Sequence, residues 1–176
     1  MVLCGMFAAL VAIGAFIQIP VPYMDYFTLQ FFFVLLAGLI LGADKGAISV
    51  GCYVLLGLVG VPIFAAGGGI GYIFRPSFGY LVGFIVSAYV TGKVCEKLKA
   101  SYKNYLLACL AGFVVTYAIG IVYKFIILNF YAHTPATLGV IFLSCFPLDM
   151  PGDFVLCLLA AGVGLLSLIH ISEPTR

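Results

Sequence analysis

The stretch YLLACLAGFVVTYAIGIVYKFIIL, Tyr105 to Leu128, carries a single charge, Lys124, and is long enough to cross a bilayer core as one helix. It has none of the apolar-polar alternation of a membrane strand. A backbone in lipid must satisfy its N–H and C=O groups within its own segment, so the run predicts a transmembrane helix. The whole chain shares this character. Its 176 residues are 65% hydrophobic and 8% charged, with a mean hydropathy of +1.27. A soluble domain carries roughly 25% charged residues to cover its core. The solvent of this chain is therefore largely lipid.

Outward from Tyr105–Leu128, five further hydrophobic runs appear. They span Val2 to Ile19 (ended by Pro20 and Pro22), Thr28 to Leu41, Gly46 to Val61 and Phe78 to Gly92, and the last begins near Pro151. A polar break, Asn129 to Pro135, and a short apolar piece ending at Cys145 precede that last run. Several runs fall short of the roughly 20 residues that span a bilayer, so extension by the loops or tilt is expected. The expected fold is an all-α integral membrane protein of six transmembrane helices in a single domain, residues 1–165. The closing segment LSLIHISEPTR, Leu166 to Arg176, changes composition abruptly and reads as the translation of a transposon end and sequencing adapter. His170, Glu173 and Arg176 are accordingly set aside. Met1 abuts the first run, which has no basic leader region, so that run is expected to be a mature helix with the natural start upstream.

The Lys/Arg bias predicts orientation. Lys45 lies between runs two and three, and Lys93, Lys97, Lys99 and Lys103 between runs four and five, whereas the opposite connections hold only Arg75. Both termini are therefore expected in the cytoplasm. The Pro-rich turn, a Gly-rich loop (Pro62 to Ser77) between helices three and four, and the start of run six are expected outside.

Several classes of function are disfavoured. A net charge of +2, dispersed along the chain, offers no nucleic-acid surface. The six cysteines at positions 4, 52, 95, 109, 145 and 157 form no C-x-x-C and read as small apolar helix residues. No carboxylate pair shares a helix face with a nucleophile, no Walker motif is present, and the histidines are His133 in a loop and His170. No enzyme activity and no cofactor are expected. The glycines Gly67, Gly68, Gly69 and Gly71 lack the G-K-[ST] of a phosphate loop. They supply either a flexible external connection or a lid whose backbone approaches a ligand closely.

The segments Pro22-Tyr-Met-Asp-Tyr-Phe-Thr-Leu-Gln30, Leu39-Ile-Leu-Gly42, Gly57-Leu-Val-Gly-Val-Pro-Ile-Phe64, the glycine run, Arg75-Pro-Ser-Phe-Gly-Tyr-Leu-Val-Gly-Phe84, Tyr117-Ala-Ile-Gly120 and Pro151-Gly-Asp153 occur in an order that resembles the BioY family. These are the biotin S components of energy-coupling-factor (ECF) transporters. The resemblance covers about Phe7 to Gly162. It implies a six-helix subunit in the plasma membrane of a prokaryote that captures biotin outside. Its implied partners are a transmembrane coupling subunit and two cytoplasmic ATPases. The alternatives are an S component for another vitamin, or a stand-alone membrane carrier or enzyme. A carrier would show a polar relay at mid-membrane depth, and only Lys124 approaches that description.

Biotin offers a ureido ring with two donors and one acceptor, an apolar middle and a carboxylate, which call for an acceptor, aromatic walls and a cation. Asp153 is the first candidate for the ureido N–H groups. With Pro151 at the first helical position it falls in the first turn, where the helix dipole favours an anion. Asp149 is assigned to the loop surface. Arg75 is the candidate for the carboxylate, or else an interfacial anchor. Thr28 and Gln30 either bond the ureido group or satisfy free helix-end amides. Gly67, Gly68 and Gly69 are candidates for close backbone approach. The family has a Lys three residues after the P-x-D aspartate, where this chain has Leu156. Tyr117, Gly120 and Lys124 share one helical face, and Lys124 is the candidate replacement for that cation, snorkelling being the alternative. On helix one, Gly5/Ala9 and Ala8/Ala12 are small-x-x-x-small pairs. The family docks its coupling subunit through such a surface, which Ala8 and Ala12 match; packing within the chain is the other use of small residues.

Overall fold

The computed structural model describes residues 1–19, 27–145 and 149–172, with side chains described as far as Ser167. The turn containing Pro20 and Pro22, the segment from Pro22 to Tyr26, and Glu173 and Arg176 lie outside the described residues. The side chain of His170 does too.

The helices are α1 (Val2–Phe16), α2 (Gln30–Leu41), α3 (Ala43–Val59), α4 (Phe78–Lys97), α5 (Tyr102–Ile126), α6 (Leu138–Cys145) and α7 (Asp149–Ser172). A small antiparallel pair, β1 (Gln18–Ile19) and β2 (Phe27–Thr28), closes the first connection in the register Gln18 to Thr28 and Ile19 to Phe27. Apolar patterning gave no hint of it, because two residues per strand are too few to display a period. Three helical stretches are long and apolar enough to cross a membrane by length and composition: Phe78–Lys97, Tyr102–Tyr131 and Asp149–Ser167. α1 and α2 are shorter apolar helices.

α2 is the central element. Gln30, Phe31 and every residue from Val34 to Leu39 are buried, and α2 packs on α1, α3, α4 and α7. A helix apolar all round belongs in such an interior position. The turn into α3 is tight. Gly42 takes φ 81, and the Ala43 N–H at the start of α3 donates to Glu96 Oε1 of α4 at 3.0 Å. That carboxylate satisfies one of the free donors of a helix start. α3 ends on Gly60 at φ 117, whose N–H returns to the Gly57 carbonyl.

The most extensive helix pair is α4 with α5, and small residues set their separation. A methyl group added at Gly112 would run into Thr91 Oγ1 and Ser87 Oγ. In lipid, where no hydrophobic drive joins helices, such close approach supplies the packing. α7 completes the bundle against α5 and α2.

The structure revises three expectations. The short apolar piece before Cys145 is a helix, α6, although eight residues are too few to span a bilayer. α7 starts at Asp149 rather than at Pro151, so Asp149 occupies the first turn and Asp153 stands one turn deeper. Proline is accommodated there because the N–H groups of a first turn have no helical partner to lose. On α1, Ala8 is only 8% exposed and belongs to the core, and Ala12 packs partly buried against it. The small residues that face outward are Gly5 and Ala9.

Candidate functional site

The starts of α2, α4 and α7, the C-terminal half of α5 and the loop between α3 and α4 converge on one end of the bundle. They enclose an open-mouthed cavity of ≈ 850 Å³, counting the space at its mouth. Of the candidates drawn from the sequence, Thr28, Gln30, Arg75, Tyr117, Lys124 and Asp153 all line it.

On one wall, the Tyr117 hydroxyl of α5 donates to Asp153 Oδ2 of α7 at 2.8 Å. The Tyr117 ring lies tilted against Phe113 at 4.7 Å and edge-on to Tyr80 at 5.8 Å. Tyr80 owes its place to Gly120, where an added methyl would meet the Tyr80 ring. Its hydroxyl lies 3.1 Å from the buried Cys145 Sγ at the end of α6. Lys124 is two turns along α5 from Tyr117 on the same face, and it also lines the cavity. Leu156, the position of the missing family lysine, is 5% exposed in the core and not part of the lining. Asp149 does line the cavity, which corrects its assignment to the loop surface: it is a first-turn residue of α7, and that end of the helix points into the site.

At the start of α2, the lining residue Gln30 is 4% exposed. Its Nε2 donates to Tyr53 Oη at 2.6 Å, and its Oε1 accepts from Thr28 Oγ1 at 3.2 Å. Phe31 of α2 and Phe84 of α4 stack at 5.9 Å and contribute the apolar lining.

The loop between α3 and α4 forms the third side, and its residues divide in an unexpected way. Ala65, Ala66, Tyr72 and Arg75 line the cavity, whereas Gly67, Gly68 and Gly69 do not. The glycines bend the loop back onto the end of α3. Gly67 and Gly69 have φ 108 and 103, Gly67 and Phe64 exchange backbone hydrogen bonds, and the Gly69 N–H donates to the Gly57 carbonyl at 2.7 Å. Only glycine tolerates those φ values at no cost. The loop is further held to α5, where Tyr123 Oη donates to the Ile73 carbonyl at 2.6 Å, and to the π-helical turn that follows α5 (Ile127–Tyr131), where Phe74 stacks on Tyr131 at 4.8 Å. The exposed Arg75 guanidinium sits 5.2 Å from the Tyr72 ring centroid, a cation–π distance.

Aromatic side chains are the largest group among the lining residues that the sequence reading does not single out: Phe27, Phe31, Tyr72, Tyr80 and Phe84. Phenylalanine and tyrosine recur throughout this chain, and periodicity alone does not separate those facing a cavity from those facing lipid. Tyr80 and Phe84 fall inside the quoted Arg75–Phe84 segment, which was the available signal.

The cavity thus brings together two cations, two carboxylates, a buried amide and aromatic rings, in a chain with three helices long and apolar enough to cross a membrane by length and composition. The BioY family model matches residues 1–170. A probable biotin transporter BioY of Lysinibacillus sphaericus is 40% identical over 162 residues, covering 92% of this chain and 82% of that protein. The biotin transporter BioY of Thermotoga maritima is 45% identical over 130 residues, 73% of each chain. The fold is similar to the crystal structure of the S-component for biotin from an ECF-type ABC transporter. The TM-score is 0.83 at 24% identity, over 96% of this chain and 89% of that one. The chain belongs to the BioY family. Its family is one of transport proteins, not of enzymes.

Proposed function

We propose that this chain is the substrate-binding subunit of an ECF-type vitamin importer and that it captures biotin in the cavity at the outer end of the bundle. The observation that carries the proposal is the Tyr117–Asp153 hydrogen bond on the cavity wall. It leaves a carboxylate oriented, with its second oxygen available to accept from the ureido N–H groups. The aromatic lining suits the apolar middle of biotin. Arg75 and Lys124 on the same cavity are the cations proposed for its carboxylate, with Lys124 standing in for the lysine absent at Leu156. Gln30 and Thr28 contribute further polar contacts. The glycines Gly67, Gly68 and Gly69 shape the loop that brings Ala65 and Ala66 to the ligand.

The rest of the assembly follows from the same reading. Residues 1–165 form a single membrane domain, with six spans, both termini in the cytoplasm, and the cavity open to the outside of a prokaryotic plasma membrane. A transmembrane coupling subunit and two cytoplasmic ATPases supply the energy, and biotin is cargo rather than cofactor. The coupling subunit docks on α1. Ala8 is packed within the chain, so Ala12 with the outward Gly5 and Ala9 forms the small-residue contact. Retention of labelled biotin by the purified chain, and its loss in Asp153→Asn, tests the binding half of this reading.

A further inference from the structure

Tyr53 is fully buried in α3 and does not line the cavity, yet its hydroxyl touches the one amide that does. A hydroxyl has a single proton. The Tyr53 proton goes to the Ile63 carbonyl oxygen at 3.1 Å, so the Gln30 atom 2.6 Å from the same hydroxyl has to be a donor, Nε2. With Nε2 so placed, Oε1 accepts from Thr28 Oγ1 at 3.2 Å. The two ends of an amide have nearly the same shape, and packing alone does not choose between them. The choice here is made by the Tyr53 hydroxyl, itself oriented by Ile63. The ring of Tyr53 is held separately, edge-on to Phe64 at 5.5 Å. Phe64 in turn packs 4.6 Å from Tyr72 of the cavity's loop wall.

We infer that Tyr53 is a positioning residue for ligand binding: its hydroxyl fixes which end of the Gln30 amide faces the ligand and, through Ile63, ties that orientation to the root of the loop that walls the same cavity. The inference rests on the reading of the cavity as the biotin site. Its content is that a residue without ligand contact sets the donor–acceptor polarity of one that has it. A ligand group matched to one end of an amide is mismatched to the other, and a buried mismatch costs more than the net worth of the bond.

The test is a double-mutant cycle on the full chain in detergent, titrated with biotin. Tyr53→Phe keeps the ring and removes the hydroxyl. It is expected to weaken binding roughly tenfold, about the effect of one hydrogen bond, with a lowered thermal midpoint but a cooperative transition, since two buried partners lose the hydroxyl. In a Gln30→Ala background the same change is expected to have almost no further effect, because there is no amide left to orient. Wild-type affinity in Tyr53→Phe, wild-type affinity in Gln30→Ala, or losses that simply multiply in the double variant would each overturn the inference. If Tyr53→Phe does not fold, Gln30→Glu decides. It offers the Tyr53 hydroxyl no N–H and is expected to bind as weakly as Gln30→Ala, and wild-type affinity there would overturn the inference. Absence of biotin binding by the wild-type chain, measured first, would overturn the biotin reading and remove the premise with it.

Discussion

The Tyr117 hydroxyl and Asp153 Oδ2 meet at 2.8 Å and join α5 to α7 at the cavity wall. Tyr102 Oη to the Leu158 carbonyl and Cys157 Sγ to the Cys109 carbonyl also bridge these helices, but of the three contacts the Tyr117–Asp153 pair is the one whose residues line the cavity. That contact orients the carboxylate without covering it. Replacing Asp153 by Asn keeps an acceptor for Tyr117 and removes the charge. Loss of a charge-assisted bond is worth about 1.5–3 kcal/mol, so Asp153→Asn is expected to raise the biotin Kd by roughly ten- to a hundredfold. Tyr117→Phe leaves the carboxylate in place but unoriented, and a smaller loss, several-fold, is expected. Calorimetric titration of the two variants beside their thermal midpoints checks both.

Lys124 lines the cavity two turns along α5 from Tyr117, and a cation at that depth either meets the ligand or reaches for the interface. The two roles separate on the charge of the ligand. Lys124→Met is expected to weaken biotin about tenfold or more while changing the affinity for an uncharged biotin ester by less than about twofold, since only the acid loses a charged partner. Equal effects on acid and ester would assign Lys124 to the interface.

Two glycines of α5 support different things. Gly112 lies against Thr91 and Ser87 of α4, and Gly120 against the ring of the cavity residue Tyr80. Overpacking a close helix contact costs typically 1–3 kcal/mol. Gly112→Ala is therefore expected to lower the thermal midpoint in detergent. Gly120→Ala is expected to displace the Tyr80 ring from the cavity wall and to reduce biotin affinity more than it reduces stability. Comparing the midpoint and Kd of each variant reads the difference.

The lysine bias predicts that the loop between α4 and α5 lies inside and the loop between α3 and α4 outside. With the six native cysteines replaced, single cysteines at Lys99→Cys and Ile70→Cys are expected to react with a membrane-impermeant maleimide from opposite sides of intact cells. Ile70→Cys should label directly, and Lys99→Cys only after permeabilisation.

Much of this fold was legible in the sequence because lipid constrains it so strongly. Runs such as Tyr105–Leu128 have one structural solution, and α5 with its π-helical end, Ile127–Tyr131, follows that run closely. The boundaries were less legible. α3 begins at Ala43, ahead of the apolar run, because Glu96 of a distant helix caps its first turn, and a contact across the fold leaves no local trace. The polar members of the cavity were legible for the same reason the fold was: a charge or amide within an apolar run is costly and so draws notice. Asp149 was misread because it sits beside a turn and not inside a run. The aromatic walls were not legible, nor was Tyr53, whose role depends on two hydrogen bonds between residues far apart in sequence. On α1, Ala8 and Ala9 are equally small, and only the packed structure decides that Ala8 faces the core.

The most direct test of the account is equilibrium binding of labelled biotin to the detergent-purified wild-type chain, with folding verified by its helical circular dichroism and a cooperative thermal transition. The account predicts saturable one-site binding at micromolar biotin or below, displaced by unlabelled biotin and abolished or strongly weakened in Asp153→Asn. A folded chain that retains no biotin at micromolar concentrations, or that binds it equally well without the Asp153 carboxylate, would contradict it.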